Sequence, residues 1–127
     1  MKHSKHITPA VLVIVVLFCT TGAFAQVRQE VRIPDIMGYK TLKCDFHMHT
    51  VFSDGNVWPT VRVEEAWREG LDVISITDHI EYQPHKDDIP TNFNRPYEIA
   101  LPVAKERGIL LIKGAEITRD TPPGHFN

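Results

Sequence analysis

The sequence predicts an α/β protein in which three strands alternate with two helices, β-α-β-α-β, and pair as a parallel sheet. Three observations carry this. Residues 41–48 show the alternation of a strand, imperfectly, and short apolar runs follow at residues 71–77 and 109–112. The stretches between them, 59–69 and 97–107, carry helical spacing of apolar residues. Each helical stretch is closed by a glycine, Gly70 and Gly108. Strands separated by helices of about a dozen residues imply crossover connections and parallel pairing.

The elements follow in order. Residues 1–25 hold Lys2 and Lys5 but no acid, then a ten-residue apolar run from Ala10 to Cys19, then Ala23-Phe24-Ala25. This pattern predicts a secretory signal peptide cut after Ala25, and export to the periplasm or the medium. The run is shorter than the roughly 20 apolar residues of a membrane span, so no stable membrane anchor is expected after cleavage. Phe18 stands where a lipoprotein needs a small residue before Cys19. Cys44 is then the one cysteine of the mature chain, which excludes an internal disulfide.

Residues 26–39, broken by Pro34 and Gly38, read as a lead-in segment, and residues 40–127 as the domain proper. In the first strand, alternation places Asp45, His47 and His49 on one side. Cys44, Phe46 and Met48 then face covering helices, with Cys44 a small core residue. Pro59 suits a first helical turn, and Val63, Ala66 and Trp67 share one face. Val73, Ile74 and Ile76 mark a strand buried on both sides. A polar loop follows over 78–94, with Pro84, Pro90, Asp87 and Asp88. Pro102 interrupts the second helix and should kink it. The third strand, also expected to be buried, runs on toward Glu116.

Composition narrows the function classes. The 127 residues are 43% hydrophobic and 24% charged with a net charge of −2, which excludes a collagenous or strongly disordered chain. Removing the leader and its two lysines leaves 102 residues with twelve Lys and Arg against sixteen Asp and Glu, or −4. No basic stripe is present, so a nucleic-acid partner is not expected. Nor is there a Walker loop, a G-x-G-x-x-G, a G-x-S-x-G or an H-E-x-x-H.

The chemistry gathers at the strand ends. Asp45-Phe-His-Met-His49 ends the first strand, Ile76-Thr-Asp-His79 the second, and Glu116 the third, with His125 shortly after. In parallel α/β folds the carboxyl ends of strands converge on one rim, where sites are built. His47 and His49, two residues apart on one face, suit a chelate. Asp54, in the turn Ser53-Asp-Gly55, is expected to bend back over the strand end because Gly55 frees the backbone. Imidazole and carboxylate together suit Zn, Mn or Fe, two or three ions in all. Asp45 and Asp78 lie beside these residues and either orient imidazoles or cap turns. Arg119 either meets a substrate phosphate or is an exposed loop residue. His85 reads as part of a solvated loop. Thr50 and Ser53 read as turn residues, and Trp58 and Trp67 as packing residues.

Asp45-Phe-His-Met-His-Thr-Val-Phe-Ser-Asp-Gly55, Ile76-Thr-Asp-His79, Gly114-Ala-Glu-Ile-Thr118 and Gly124-His-Phe-Asn127 resemble, in order and spacing, successive motifs of the PHP (polymerase and histidinol phosphatase) family. The resemblance covers about residues 40–127. It implies a distorted seven-stranded (β/α)7 TIM-like barrel, of which this chain is a truncated N-terminal portion. It also implies a site of two or three divalent metals that hydrolyses phosphoesters with metal-activated water. His47 and His49 resemble the H-x-H ligands, Asp54 the acid of the S-D-G turn and His79 the ligand of the T-D-H motif. Glu116 resembles the bridging carboxylate and His125 the next ligand. The family continues with a further His and an Asp-x-His, which this sequence lacks. The implied substrate is a small phosphorylated molecule. An amide-type substrate, or a metal-binding fragment without turnover, are the alternatives.

Overall fold

The computed structural model describes residues 26–90, 92–119 and 124. The leader, His125 and Asn127 lie outside the described residues. Five elements alternate as expected: β1 (Cys44–Met48), α1 (Pro59–Arg68), β2 (Val73–Ile76), α2 (Arg95–Arg107) and β3 (Leu110–Lys113). The strands form one parallel sheet in the order β1-β2-β3.

Local sequence explains the boundaries. Pro59 opens α1, where its missing N–H costs nothing. The second helix begins at Arg95 rather than near Tyr97, because Pro96 fills the same role there. It continues through Pro102 and ends at Gly108, whose φ of +68° is the left-handed conformation that glycine supplies most cheaply. Both helices pack against each other and onto one face of the sheet. Val63 and Ala66 of α1, Ala100 and Ala104 of α2, Ile74 and Ile76 of β2, Ile109 and Leu111 make the core. Three alanines let the helices approach closely, and each larger side chain adds about 1.5–3 kcal/mol by leaving water. Trp67 packs at the margin under the Arg107 guanidinium, 4.7 Å from the ring centroid. Trp58 is more exposed and tilts against Phe52.

Two expectations about side-chain direction need correcting. Cys44 is exposed, not a core residue. It lies in register with Val73, while Asp45 lies in register with the core residue Ile74. The register then shifts between Asp45 and Met48, and Met48 returns to the core side opposite Ile76. An extra residue in β1 resets the alternation, so simple parity assigned the early part of the strand to the wrong faces. The second correction concerns β3. All four residues of β2 are buried, as expected, but in β3 only Leu111 is. Leu110 and Ile112 are 59% and 44% exposed, because β3 is an edge strand and both helices cover the opposite face.

The lead-in segment is fastened to the C-terminal end of α1 and the start of β2. Arg28 donates to the Gly70 and Leu71 carbonyls and to Asp72 Oδ1, the last at 2.9 Å. Asp72 Oδ2 accepts the Lys43 backbone N–H at 2.9 Å and pairs with Lys43 Nζ at 2.6 Å. The Lys43 backbone bond, its ammonium bond and the nearby charges outweigh burial, holding the Asp72 carboxyl below its ordinary value of 3.8. A carboxylate whose folded pKa is depressed stabilises the fold above the unfolded pKa and loses that contribution as pH falls through the folded one. Asp72→Asn should therefore lower stability near neutral pH. The gap from the unsubstituted chain should close as pH falls below 3.8, read from urea midpoints across an acid pH series.

Candidate metal centre

Backbone pairing sets the three strand ends side by side. The Thr77 N–H donates to the Met48 carbonyl at 2.7 Å, carrying the β1–β2 ladder to the start of the site. Beyond β3, His79 and Glu116 form a further parallel bridge: Glu116 N–H donates to the Asp78 carbonyl and Ile80 N–H to the Glu116 carbonyl. Gly114 permits this crossing. A Cβ there would collide with the Ser75 hydroxyl and sit 2.9 Å from the Thr77 methyl carbon.

The side chains at these ends converge. Glu116 is 2% exposed. Its Oε2 lies 3.0 Å from His49 Nε2, 3.3 Å from His47 Nε2 and 3.6 Å from His79 Nδ1. The His47 and His49 rings stack with centroids 4.9 Å apart, despite the irregular register of the strand that carries them. On the far side of His49, Nδ1 lies 2.8 Å from Asp54 Oδ1, and Asp54 Oδ2 lies 3.5 Å from His79 Nε2. Two groups result: His47, His49 and Glu116, and His49, Asp54 and His79. His49 belongs to both, presenting one ring nitrogen to each carboxylate. Burial by itself raises the Asp54 pKa, but the His49 hydrogen bond and the charges of His49 and His79 outweigh it. Its carboxyl sits below the ordinary range.

The turn that holds Asp54 depends on close packing. Gly55 N–H and Ser53 N–H both donate to the Thr50 carbonyl. A Cβ on Gly55 would stand 2.5 Å from the His49 carbonyl carbon and 2.6 Å from the Thr50 nitrogen. Close approach, rather than the backbone freedom expected from the sequence, is what requires glycine there.

Asp78 fastens the same turn, accepting the Thr50 N–H at 2.6 Å, the Thr50 hydroxyl at 2.7 Å and the Ser53 hydroxyl at 2.7 Å. These bonds fasten the turn, one of the two roles expected for Asp78. Asp45 accepts the His47 backbone N–H at 3.0 Å, a bond made at the register shift.

The remaining expected residues are placed as follows. Arg119 and His85 are exposed, and His125 lies outside the described residues. Three contributors escaped sequence reasoning. Arg62 of α1 donates to the His49 carbonyl at 2.8 Å. Thr118 bonds His79 Nδ1 through its hydroxyl. Glu81 accepts the Thr118 N–H at 3.0 Å. Each acts across 13 to 39 residues of sequence, and no local pattern marks such pairs.

The donor set fits a divalent cation. Nitrogen and oxygen ligands about 2.0–2.2 Å from one ion lie roughly 3.0–3.5 Å from each other, and the imidazoles stand 3.0–3.6 Å from Glu116 Oε2. Mixed imidazole and carboxylate donors suit Zn, Mn or Fe. A parallel α/β sheet with such a cluster at its carboxyl rim defines a candidate metal-site protein of the strand-end class.

Known proteins narrow the class. No family model matches the chain. A two-domain protein from Bacteroides vulgatus, solved by crystallography and containing a predicted PHP-like metal-dependent phosphoesterase, is 62% identical with a TM-score of 0.77, over 80% of this chain and 29% of that one. A Bifidobacterium adolescentis protein to which metal-dependent phosphoesterase activity is ascribed is 31% identical with a TM-score of 0.50, over 68% of this chain and 26% of that one. Among curated proteins, a 5'-3' exoribonuclease of Haemophilus influenzae is 38% identical over 78 residues, 61% of this chain and 24% of the relative. An uncharacterised protein of Methanocaldococcus jannaschii is 33% identical over 87 residues, 64% of this chain and 36% of the relative. Over most of its length this chain is thus similar to PHP-like metal-dependent phosphoesterases, and it spans about a third or less of each of these proteins.

Proposed function

We propose that this chain carries the metal-binding rim of a metal-dependent phosphoesterase, within the N-terminal part of a seven-stranded PHP barrel spanning residues 40–127. The observation that carries the reading is the convergence of His47, His49, Asp54, His79 and Glu116 from three strand ends into two groups sharing His49. His47, His49 and Glu116 hold one ion. Asp54 and His79 would hold a second, which His49 would join through Nδ1 only as the imidazolate, since a neutral imidazole offers a single lone pair. His125 would add a further ligand. Divalent cations bound there supply Lewis acidity, which lowers the pKa of water and neutralises phosphate charge.

The chain's own residues do the rest. Glu116 places a buried carboxyl beneath three imidazoles, at the point where a cation would sit. Asp78 and Arg62 keep the His49 segment from shifting, since ligand geometry must be held to a fraction of an ångström. Arg119, exposed three residues beyond Glu116, offers a guanidinium to phosphate oxygens. Residues 1–25 direct export, which favours a small phosphorylated substrate outside the cytoplasm.

A nucleic-acid phosphodiester is the second reading, favoured by the similarity to the Haemophilus exoribonuclease. The acidic balance of the sequence, −2 overall, weighs against it. An aryl phosphate monoester and a short RNA, each assayed with added Mn or Zn, separate the two. Hydrolysis of the monoester that chelator abolishes is the expected result. Hydrolysis indifferent to chelator overturns the mechanism, and cleavage of the RNA alone favours the second reading.

A further inference from the structure

We propose that Thr118 is a positioning residue that fixes the tautomer of His79, committing Nε2 to the ion held with Asp54. The inference rests on the metal-site reading above and concerns how one of its ligands is held.

His79 is 7% exposed, and its ring nitrogens face different surroundings. Nδ1 is hydrogen-bonded to the Thr118 hydroxyl and lies 3.6 Å from the buried Glu116 Oε2. Nε2 lies 3.5 Å from Asp54 Oδ2, on a side chain 43% exposed. A neutral imidazole carries one N–H and one lone pair, so the proton's location decides which nitrogen can ligate. A carboxylate oxygen lies on each side, Glu116 Oε2 3.6 Å from Nδ1 and Asp54 Oδ2 3.5 Å from Nε2, so the Thr118 hydroxyl bonded to Nδ1 is what sets that nitrogen apart as the one to carry the proton. Nδ1–H then donates to Thr118 Oγ1, and the Nε2 lone pair points toward Asp54.

Thr118 is itself held. Its backbone N–H donates to Glu81 Oε2 at 3.0 Å. The Glu116–Ile80 backbone bond keeps the 116–118 segment beside 79–81. The hydroxyl therefore meets the ring from a fixed backbone rather than from a free loop. Partners of this kind raise ligand basicity and set ring orientation, and losing one typically costs about 10–100-fold in metal affinity.

Thr118→Val keeps the side-chain shape and removes the hydroxyl, and Thr118→Ser retains it. The first readout needs no metal: nitrogen NMR of 15N-histidine-labelled chain at a pH where His79 is neutral. The unsubstituted chain and Thr118→Ser should show His79 mainly as the Nδ1–H form. Thr118→Val should move it toward the Nε2–H form that free imidazole prefers. The second readout is competition of Zn(II) against a chelator. Thr118→Val should weaken one bound equivalent by about 10–100-fold and leave the other unchanged, with Thr118→Ser restoring it. An unchanged tautomer in Thr118→Val, or an Nε2–H form in the unsubstituted chain, overturns the proposal. If the unsubstituted chain binds no Zn(II), the metal-site reading fails, while the tautomer measurement still decides the role of Thr118.

Discussion

Glu116→Gln is expected to leave the chain folded and to weaken divalent-metal binding by more than about 100-fold. Partners one step removed from an ion already cost roughly 10–100-fold when lost, so a ligand at the centre of the cluster should cost more. The reason lies in the convergence at one atom. Glu116 Oε2 is approached by His47 Nε2, His49 Nε2 and His79 Nδ1 within 3.0–3.6 Å. The amide of glutamine matches the shape but carries no charge, and its NH₂ cannot ligate. Isothermal titration with Mn(II) or Zn(II) reads the loss, and circular dichroism checks that the helices persist. Retained affinity would mean that the buried carboxylate serves packing and charge pairing alone.

Asp78→Ala is expected to produce the largest loss of stability, about 3 kcal/mol or more. Its carboxylate accepts three hydrogen bonds from Thr50 and Ser53, and both residues are 0% exposed. Each buried donor left without a partner costs roughly 1–3 kcal/mol, and water entering the gap recovers only part of that. In a domain of this size about 3 kcal/mol corresponds to a fall in melting temperature of at least roughly 12 °C. The turn also carries Asp54, so metal affinity should fall with stability. Asp78→Asn keeps one acceptor and should lose less. Equal melting temperatures for Asp78→Ala and the unsubstituted chain would show that the turn holds without this clamp.

The two predictions separate what was legible in the sequence from what was not. Element order, the start of α1 at Pro59 and the gathering of His47, His49, Asp54, His79 and Glu116 at strand ends follow from periodicity and local spacing, whereas the start of α2 at Arg95, two residues before Tyr97, does not. The faces of β1 do not, because the register shift depends on how Met48 finds the core opposite Ile76. The exposure of β3 was hidden for a related reason: an apolar run looks the same at a sheet edge as at its centre. The supports were the least legible. Asp78 reaches Thr50 across 28 residues, Thr118 reaches His79 across 39 and Asp72 reaches Arg28 across 44. Their side chains are ordinary polar residues until the fold brings their partners within reach.

His49 tests the account most directly, because it alone serves both groups. The measurement is metal content by plasma mass spectrometry after loading with Zn(II) and exhaustive dialysis, for the unsubstituted chain, His47→Ala and His49→Ala. Metal should be retained by the unsubstituted chain, reduced in His47→Ala, and reduced furthest in His49→Ala. An unsubstituted chain that retains no metal, or a His49→Ala chain that retains as much as the unsubstituted one, would contradict it.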